Sequence, residues 1–398
     1  MNDLRRLLPL LMIFSGASAL AQSWVQPTPE ELKMTAEPAA PGDAAIYLFR
    51  DERADDLHHM HSLYVRLKIL TEEGKKYADV ELVYDKGRSY SIRAIEGRTI
   101  HSDGTIIPFT GKPYDKMIEK TKTLKYEAKV FTLPDVQVGS ILEYRYVLAY
   151  SDHLVVPPEW YIQQALYVRK AHYDFLPSDM GVRGNHGGVT QDSVEYTPWL
   201  PKGVEVTRSL AANNRVGSQQ MSYSLDIENV SPIPEEEYMP PLRSLSYRVL
   251  FYYTDVKTTA EFWKSEGKYW SHEIDTFMSP GKLGGIVGQI VAPSDTPAQK
   301  AHKLYDAVMK LENTSFTRER NNEEDKAEGI KTKNAEDIWT AKRGSANEIA
   351  LLYVGLARAA GLQAYAAEVT NRDKAIFIPA FLSTLQLNDD IAIVVLDG

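Results

Sequence analysis

Two hydrophobic periods divide the chain. From about Ala45 to Asp226 apolar and polar residues alternate in short runs, as on strands with one covered face. Leu63, Val65, Leu67 and Ile69 form the clearest run, closed by a turn at Glu73-Gly74. Ser91 to Ile95, Thr105 to Phe109, Tyr126 to Thr132 and Ile141 to Leu148 follow. Asp103-Gly104 between two of them is a hairpin signal, and Val138-Gly139 marks another turn. Many short strands punctuated in this way predict an antiparallel β-sandwich over residues 45–230, after an N-terminal segment at 22–44. The Gly-rich stretch from Asp179 to Gly188 reads as a loop.

The stretch Ser231 to Pro241, SPIPEEEYMPP, can continue neither a helix nor an inner strand, and a linker is expected over residues 231–244. Beyond it the period changes. Leu245 to Tyr253 reads as a strand. Thr258 with Glu261 then opens a helix carrying Phe262, Trp263, Tyr269 and Trp270, of which Trp263, Tyr269 and Trp270 are expected in the core rather than on a ligand platform. Thr296-Pro297 starts a second helix with Ala301, Leu304, Tyr305, Val308 and Met309 on one face; His302, on its edge, is expected at the surface. A charged loop, Arg318 to Lys333, and a short helix, Ala335 to Lys342, lead into the strongest element of the chain. There Ser345 and Glu348 form a capping box, and Ile349, Leu352, Tyr353, Leu356, Ala359 and Ala360 recur at helical spacing. Gly361 supplies a left-handed stop, and strands are expected at Gln363 to Thr370 and Ile391 to Leu396. This predicts an α+β domain over residues 245–398, and the ending Asp397-Gly398 suggests a sheet cut short.

Composition adds exclusions. A formal charge of −9 without an internal basic run gives no footprint for nucleic acid. Arg5 and Arg6, the apolar run Leu7 to Phe14 and the motif Ala19-Leu20-Ala21 read as a signal peptide over residues 1–21, and so predict a periplasmic or secreted protein. No later run is long enough for a membrane span. The chain contains no cysteine, so it can form no disulfide and carries no thiol nucleophile.

Ile338-Trp339, Lys342, Gly344, Leu351-Leu352, Leu356, Arg358-Ala359-Ala360-Gly361 and Ala364 together resemble the transglutaminase-like core, a papain-like fold. Ser102-Asp103-Gly104, Val138-Gly139-Ser140-Ile141 and Glu159-Trp160 resemble the uncharacterised β domain that precedes such cores in exported bacterial proteins. The resemblance implies a catalytic cysteine at the position of Ala346, on a first helical turn whose dipole would lower a thiol pKa. It implies a histidine after Gln386-Leu387-Asn388, where Asp389 stands, and a third residue, an aspartate, beyond Gly398. Alanine is no nucleophile and an ionised aspartate only accepts hydrogen bonds. The expectation is therefore a non-catalytic protein that binds or scaffolds an envelope protein, a peptide or a peptidoglycan-like ligand. The alternative is an enzyme of this fold (peptidase, amidase or acyl transferase) with relocated groups. Ser345 has a hydroxyl at the same helix start, but the capping box commits it to a backbone amide. His58, His59 and His61, with Asp55 and Asp56, form the one cluster of metal-ligand types; on a strand His59 and His61 would share a face. No second cluster accompanies them, and no cofactor or metal is expected.

Overall fold

The computed structural model describes residues 24–396 except 87–89, 121–124, 152–154, 179–181, 184–188, 191–192, 213–218, 235, 280–281 and 317–332. The expected signal peptide, most of the expected Asp179–Gly188 loop and nearly all of the expected Arg318–Lys333 loop lie outside the described residues.

The N-terminal half is built on an eight-stranded sheet. In spatial order its strands are Thr207–Ala212, Gln219–Val230, Val168–Leu176, Ala45–Asp55, Met60–Ile69, Ile141–Ala149, Ser91–Ile100 and Ile106–Pro108. It is not purely antiparallel as expected. Ala45–Asp55 pairs antiparallel with Met60–Ile69 but parallel with Val168–Leu176, Tyr47 lying opposite Val168. The chain between them supplies the long crossover that a parallel pair requires.

Two three-stranded sheets pack on one face of the large sheet. Asp79–Asp85, Lys125–Thr132 and Tyr114–Lys120 form the first, and Val80, Leu82, Tyr84 and Phe131 meet Val65, Leu67 and Ile69 beneath it. The second comprises Ser193–Trp199, Arg248–Thr254 and Glu159–Tyr161, with Val249, Phe251 and Trp160 packed on Tyr173, Phe175 and Tyr223. The strand expected at Leu245 to Tyr253 therefore exists at Arg248–Thr254, but it completes the N-terminal core rather than opening the second domain. Its alternating apolar residues show that it is a strand and carry no sign of which sheet it joins.

The opposite face of the large sheet is not solvated either. Tyr64, Arg66 and Lys68, the polar alternates of the clearest run, are all buried. They lie beneath residues 24–34, whose short helix Pro29–Lys33 is capped by Thr28. Glu143, with no solvent exposure, accepts hydrogen bonds from Arg66 at 2.7 Å, from Arg98 Nε and from Tyr64 Oη. Arg66 and Arg98 then donate to the carbonyl of Val25 at 2.9 and 3.0 Å, and Arg66 also meets Glu31 at 2.8 Å. Lys68 donates to the carbonyls of Leu32 and Gly139. Burial pushes its ammonium down to about 8.

The C-terminal part forms the expected helices around Ala346–Ala359, with Thr259–Met278, Pro297–Val308 and Ala335–Ala341 against it, and adds one not expected from the sequence, Gly284–Ile290. Each predicted cap is present. Thr258 accepts from the amide of Glu261, and Thr296 forms a capping box with Gln299 ahead of Pro297. The core assignment of the aromatic set is corrected. Phe262 is buried, but Tyr269 is exposed, as are Tyr305 in the helix Pro297–Val308 and Met309 at its C-cap. Trp263 is half-buried and donates through Nε1 to the carbonyl of Pro379 at 2.9 Å. The two-stranded hairpin Gln363–Val369 and Asp389–Val395 covers the central helix.

Replacing Glu143 by Gln leaves two buried guanidinium groups without their shared anion. The expected cost is ~3–5 kcal/mol, read as a lower urea midpoint with unchanged slope. A variant as stable as wild type would show that the cluster does not hold the sheet.

Candidate functional site

The helix Ala346–Ala359 begins as its sequence requires. Ser345 Oγ accepts from the amide of Glu348 at 3.2 Å, and Glu348 Oε2 accepts from the amide of Ser345 at 2.7 Å. The hydroxyl is thus engaged as a cap. The amide of Ala346 donates to Ser315 Oγ at 2.9 Å, satisfying one of the free donors of the first turn. Gly344, just before, has no room for a side chain, since a Cβ there would lie 2.9 Å from Ile338 Cγ2. Gly361 has φ +82° and closes the helix, with the amide of Leu362 donating to the carbonyl of Ala357.

The hairpin decides what faces this helix start. Ala364, Ala366, Ala392 and Val394 pack into the core with Leu352 and Leu356, whereas Tyr365, Ile391 and Ile393 are exposed. Strand alternation therefore turns even-numbered positions toward the helix. Asp389, expected opposite Ala346, is odd-numbered and lies on the outer face, 3.5 Å from Asn371 Nδ2. This corrects the expected placement. The helix-facing residues at this end are Asp390 and its cross-strand partner Glu368. The amide of Asp390 donates to Asn347 Oδ1 at 3.4 Å, one residue after Ala346. Motif spacing alone could not resolve the one-residue difference, because Asn388-Asp389-Asp390 offers two adjacent carboxylates.

Electrostatics follow from this pairing. Desolvation and the charge of Asp390 push the Glu368 carboxyl up to about 7. Desolvation, then Asp389, raises Asp390 as well. Glu368 can thus exchange a proton near neutrality. The two histidines of the C-terminal half, His272 and His302, are both exposed on helices, His302 lying 3.4 Å from Asp306.

The histidine cluster is dispersed by its turn. His58 Nδ1 lies 2.7 Å from Asp55 Oδ2. His59 adopts φ +56° before the strand begins at Met60, so it does not share a strand face with His61. His61 Nε2 lies 2.9 Å from the carbonyl of Val156, and burial lowers its pKa. Asp56, fully buried, accepts from Tyr150 Oη, from the amide of Val156 at 2.9 Å and from Tyr253 Oη at 2.7 Å. These residues fasten the turn to two other segments. Among the described residues no group of three His, Cys, Asp or Glu is arranged to hold a metal ion, and no helix is long and apolar enough to cross a membrane.

Comparison with known proteins agrees with this division. Residues 58–198 match a domain of unknown function, DUF3857, and residues 285–383 match the transglutaminase-like superfamily. A transglutaminase-like domain thus follows a DUF3857 domain. The chain is also similar to the crystal structure of a "putative protease" from Parabacteroides distasonis, with TM-score 0.59 and 13% identity. The match covers 89% of this chain and 66% of that one, and such identity speaks to the fold alone. No curated protein is significantly similar to the chain.

Glu368 carries a pH signature. Its folded pKa, about 7, lies above the ordinary value of about 4.3, so folding favours the proton. Its contribution is fully present below pH ~4.3 and is lost as pH rises through ~7. Glu368→Gln should abolish that decline, matching wild type at pH 4 and exceeding it at pH 8 in urea titrations. Parallel curves would show that Glu368 is an ordinary exposed carboxylate.

Proposed function

We propose that this chain is an exported protein whose transglutaminase-like domain is non-catalytic and serves to bind or scaffold in the cell envelope. The observation that carries the proposal is the helix start itself. The family's nucleophile falls on Ala346, and the strand residues at this end of the helix, Asp390 and its partner Glu368, carry carboxyls rather than an imidazole. Acyl transfer through such a site needs a thiolate together with a base that orients and protonates it. Ser345 cannot substitute while its hydroxyl caps the helix, because a serine without an adjacent base is a poor nucleophile. Export rests on the sequence pattern of residues 1–21.

A second reading, an enzyme with relocated groups, has one observation in its favour. Glu368, held near pH 7 beside Asp390, has the pKa of a general acid or base. It would have to activate water directly, since no covalent nucleophile accompanies it.

Purified protein is expected neither to incorporate amines into glutamine-containing substrates nor to cleave casein-derived peptides. Turnover that disappears in Glu368→Gln would replace the proposal with the second reading. Ala346→Cys alone should give a sluggish thiol at pH 7, because neighbouring carboxylates oppose the thiolate. Adding Asp390→His should speed its reaction with iodoacetamide by about tenfold or more, whereas adding Asp389→His should not. Equal acceleration by both would refute the assignment of faces in the hairpin.

A further inference from the structure

A cavity of about 950 Å³, with Ala346 not among its lining residues, lies between the large sheet, the small sheet of Arg248–Thr254 and the segment Phe381–Leu385. Its floor is the large sheet, and its charged groups arrive there through a β-bulge. The register of Ala45–Asp55 against Met60–Ile69 shifts between Tyr47 and Phe49. Before the shift Ile46 and Leu48 face the N-terminal segment; after it Arg50, Glu52 and Ala54 face the cavity side, with Val65 opposite Arg50. Arg50 is 9% exposed, and its Nε has no hydrogen-bond partner among the described residues. Its nearest carboxylate oxygen, on Glu52, is 3.8 Å away, too far for a hydrogen bond. The rest of the guanidinium is engaged by the Tyr173 hydroxyl and lies 5.1 Å from the centroid of the Tyr47 ring, but a buried donor such as Nε that lacks an acceptor is costly unless something supplies one. Arg243 lies at the rim, its guanidinium over the ring of Tyr161.

We propose that this cavity binds the free C-terminus of an apolar peptide, its α-carboxylate seated on Arg50. The planar guanidinium matches a carboxylate through paired donors. Glu52, beside it, accepts from the amide N–H of the same terminal residue, a group that lies next to the carboxylate in any peptide. Glu52 and Glu159 also set a charge limit, for a second negative charge on the ligand would meet them directly. Tyr146, Tyr252, Phe381 and Leu382 wall the remaining space with apolar surface, which suits the side chains of the last residues. The volume is that of a small-molecule or short-peptide site. The inference is independent of whether the helix start at Ala346 retains any chemistry.

The test uses a fluorescein-labelled pentapeptide ending in Leu-Phe, as the free acid and as the C-terminal amide, read by fluorescence polarisation on the full chain. The free acid is expected to bind saturably, the amide at least about tenfold more weakly, and inorganic phosphate should not displace the acid. Arg50→Met should weaken the acid to the level of the amide. Because Arg50 is buried, exposed Arg243→Gln provides a second variant whose folding is not in question, with an expected loss of several-fold. Glu368→Gln should leave binding unchanged. Equal affinity for acid and amide, absence of binding by folded wild type, or full affinity in both arginine variants would overturn the proposal. Displacement by phosphate would show a generic anion site instead and would also overturn it.

Discussion

The carboxylate of Glu143 sits without solvent exposure among two guanidinium groups and a phenol. Charges are tolerated in such a place only when each is paired and its remaining donors are spoken for. Arg66 and Arg98 pair with Glu143 and reach on to the carbonyl of Val25, only Arg66 Nε being left without a hydrogen-bond partner among the described residues, so the N-terminal segment is a component of the cluster rather than a covering added afterwards. Trp24 extends it, with Arg98 and Arg145 over its ring at 4.7 and 4.5 Å. A sheet closed in this way on its polar face and packed by two small sheets on its apolar face is stiff. That stiffness lets the opposite face present Arg50 at a fixed position.

Local features of the fold could be read from the sequence wherever neighbours in the chain decide the outcome. The caps at Thr258, Thr296 and Ser345, the stop at Gly361 and the alternation from Leu63 to Ile69 depend on residues within four positions of one another. What escaped the sequence depends on partners far away. Alternation reports that Arg66 and Lys68 share a face, but whether that face meets water depends on residues 24–34. Likewise, Arg248–Thr254 looks the same whether it joins the sheet before it or the domain after it. The bulge near Phe49 has no glycine to announce it, and a one-residue slip is enough to reverse which charges point inward.

The candidate sites were legible to different degrees. Ala346 and the engaged hydroxyl of Ser345 follow from capping chemistry, which is short-range. The facing carboxyl could be placed only to within one residue, because Asp389 and Asp390 are equivalent until the hairpin assigns them to opposite faces. The histidines at 58, 59 and 61 have suitable chemistry for metal ligands, yet the positive φ at His59 breaks the strand that would align them. The cavity above Arg50 had no signature at all, since its walls come from segments more than 300 residues apart in the chain.

The parallel pairing of Ala45–Asp55 with Val168–Leu176 has a further consequence, for the order of events in folding. Tyr47 and Val168 are 121 residues apart, so the centre of the large sheet cannot close until nearly half the chain is available. Closing so long a loop costs entropy before any contact rewards it, which slows folding and leaves a strand edge unpaired in the meantime. During synthesis the hairpin of Ala45–Asp55 with Met60–Ile69 can form early and must wait with its other edge open. That edge presents Glu52 and Arg53 among its residues, and charges on an exposed edge are the usual protection against pairing with a stranger. Glu52, which contributes to the polarity of the finished cavity, thus guards the growing chain before the cavity exists.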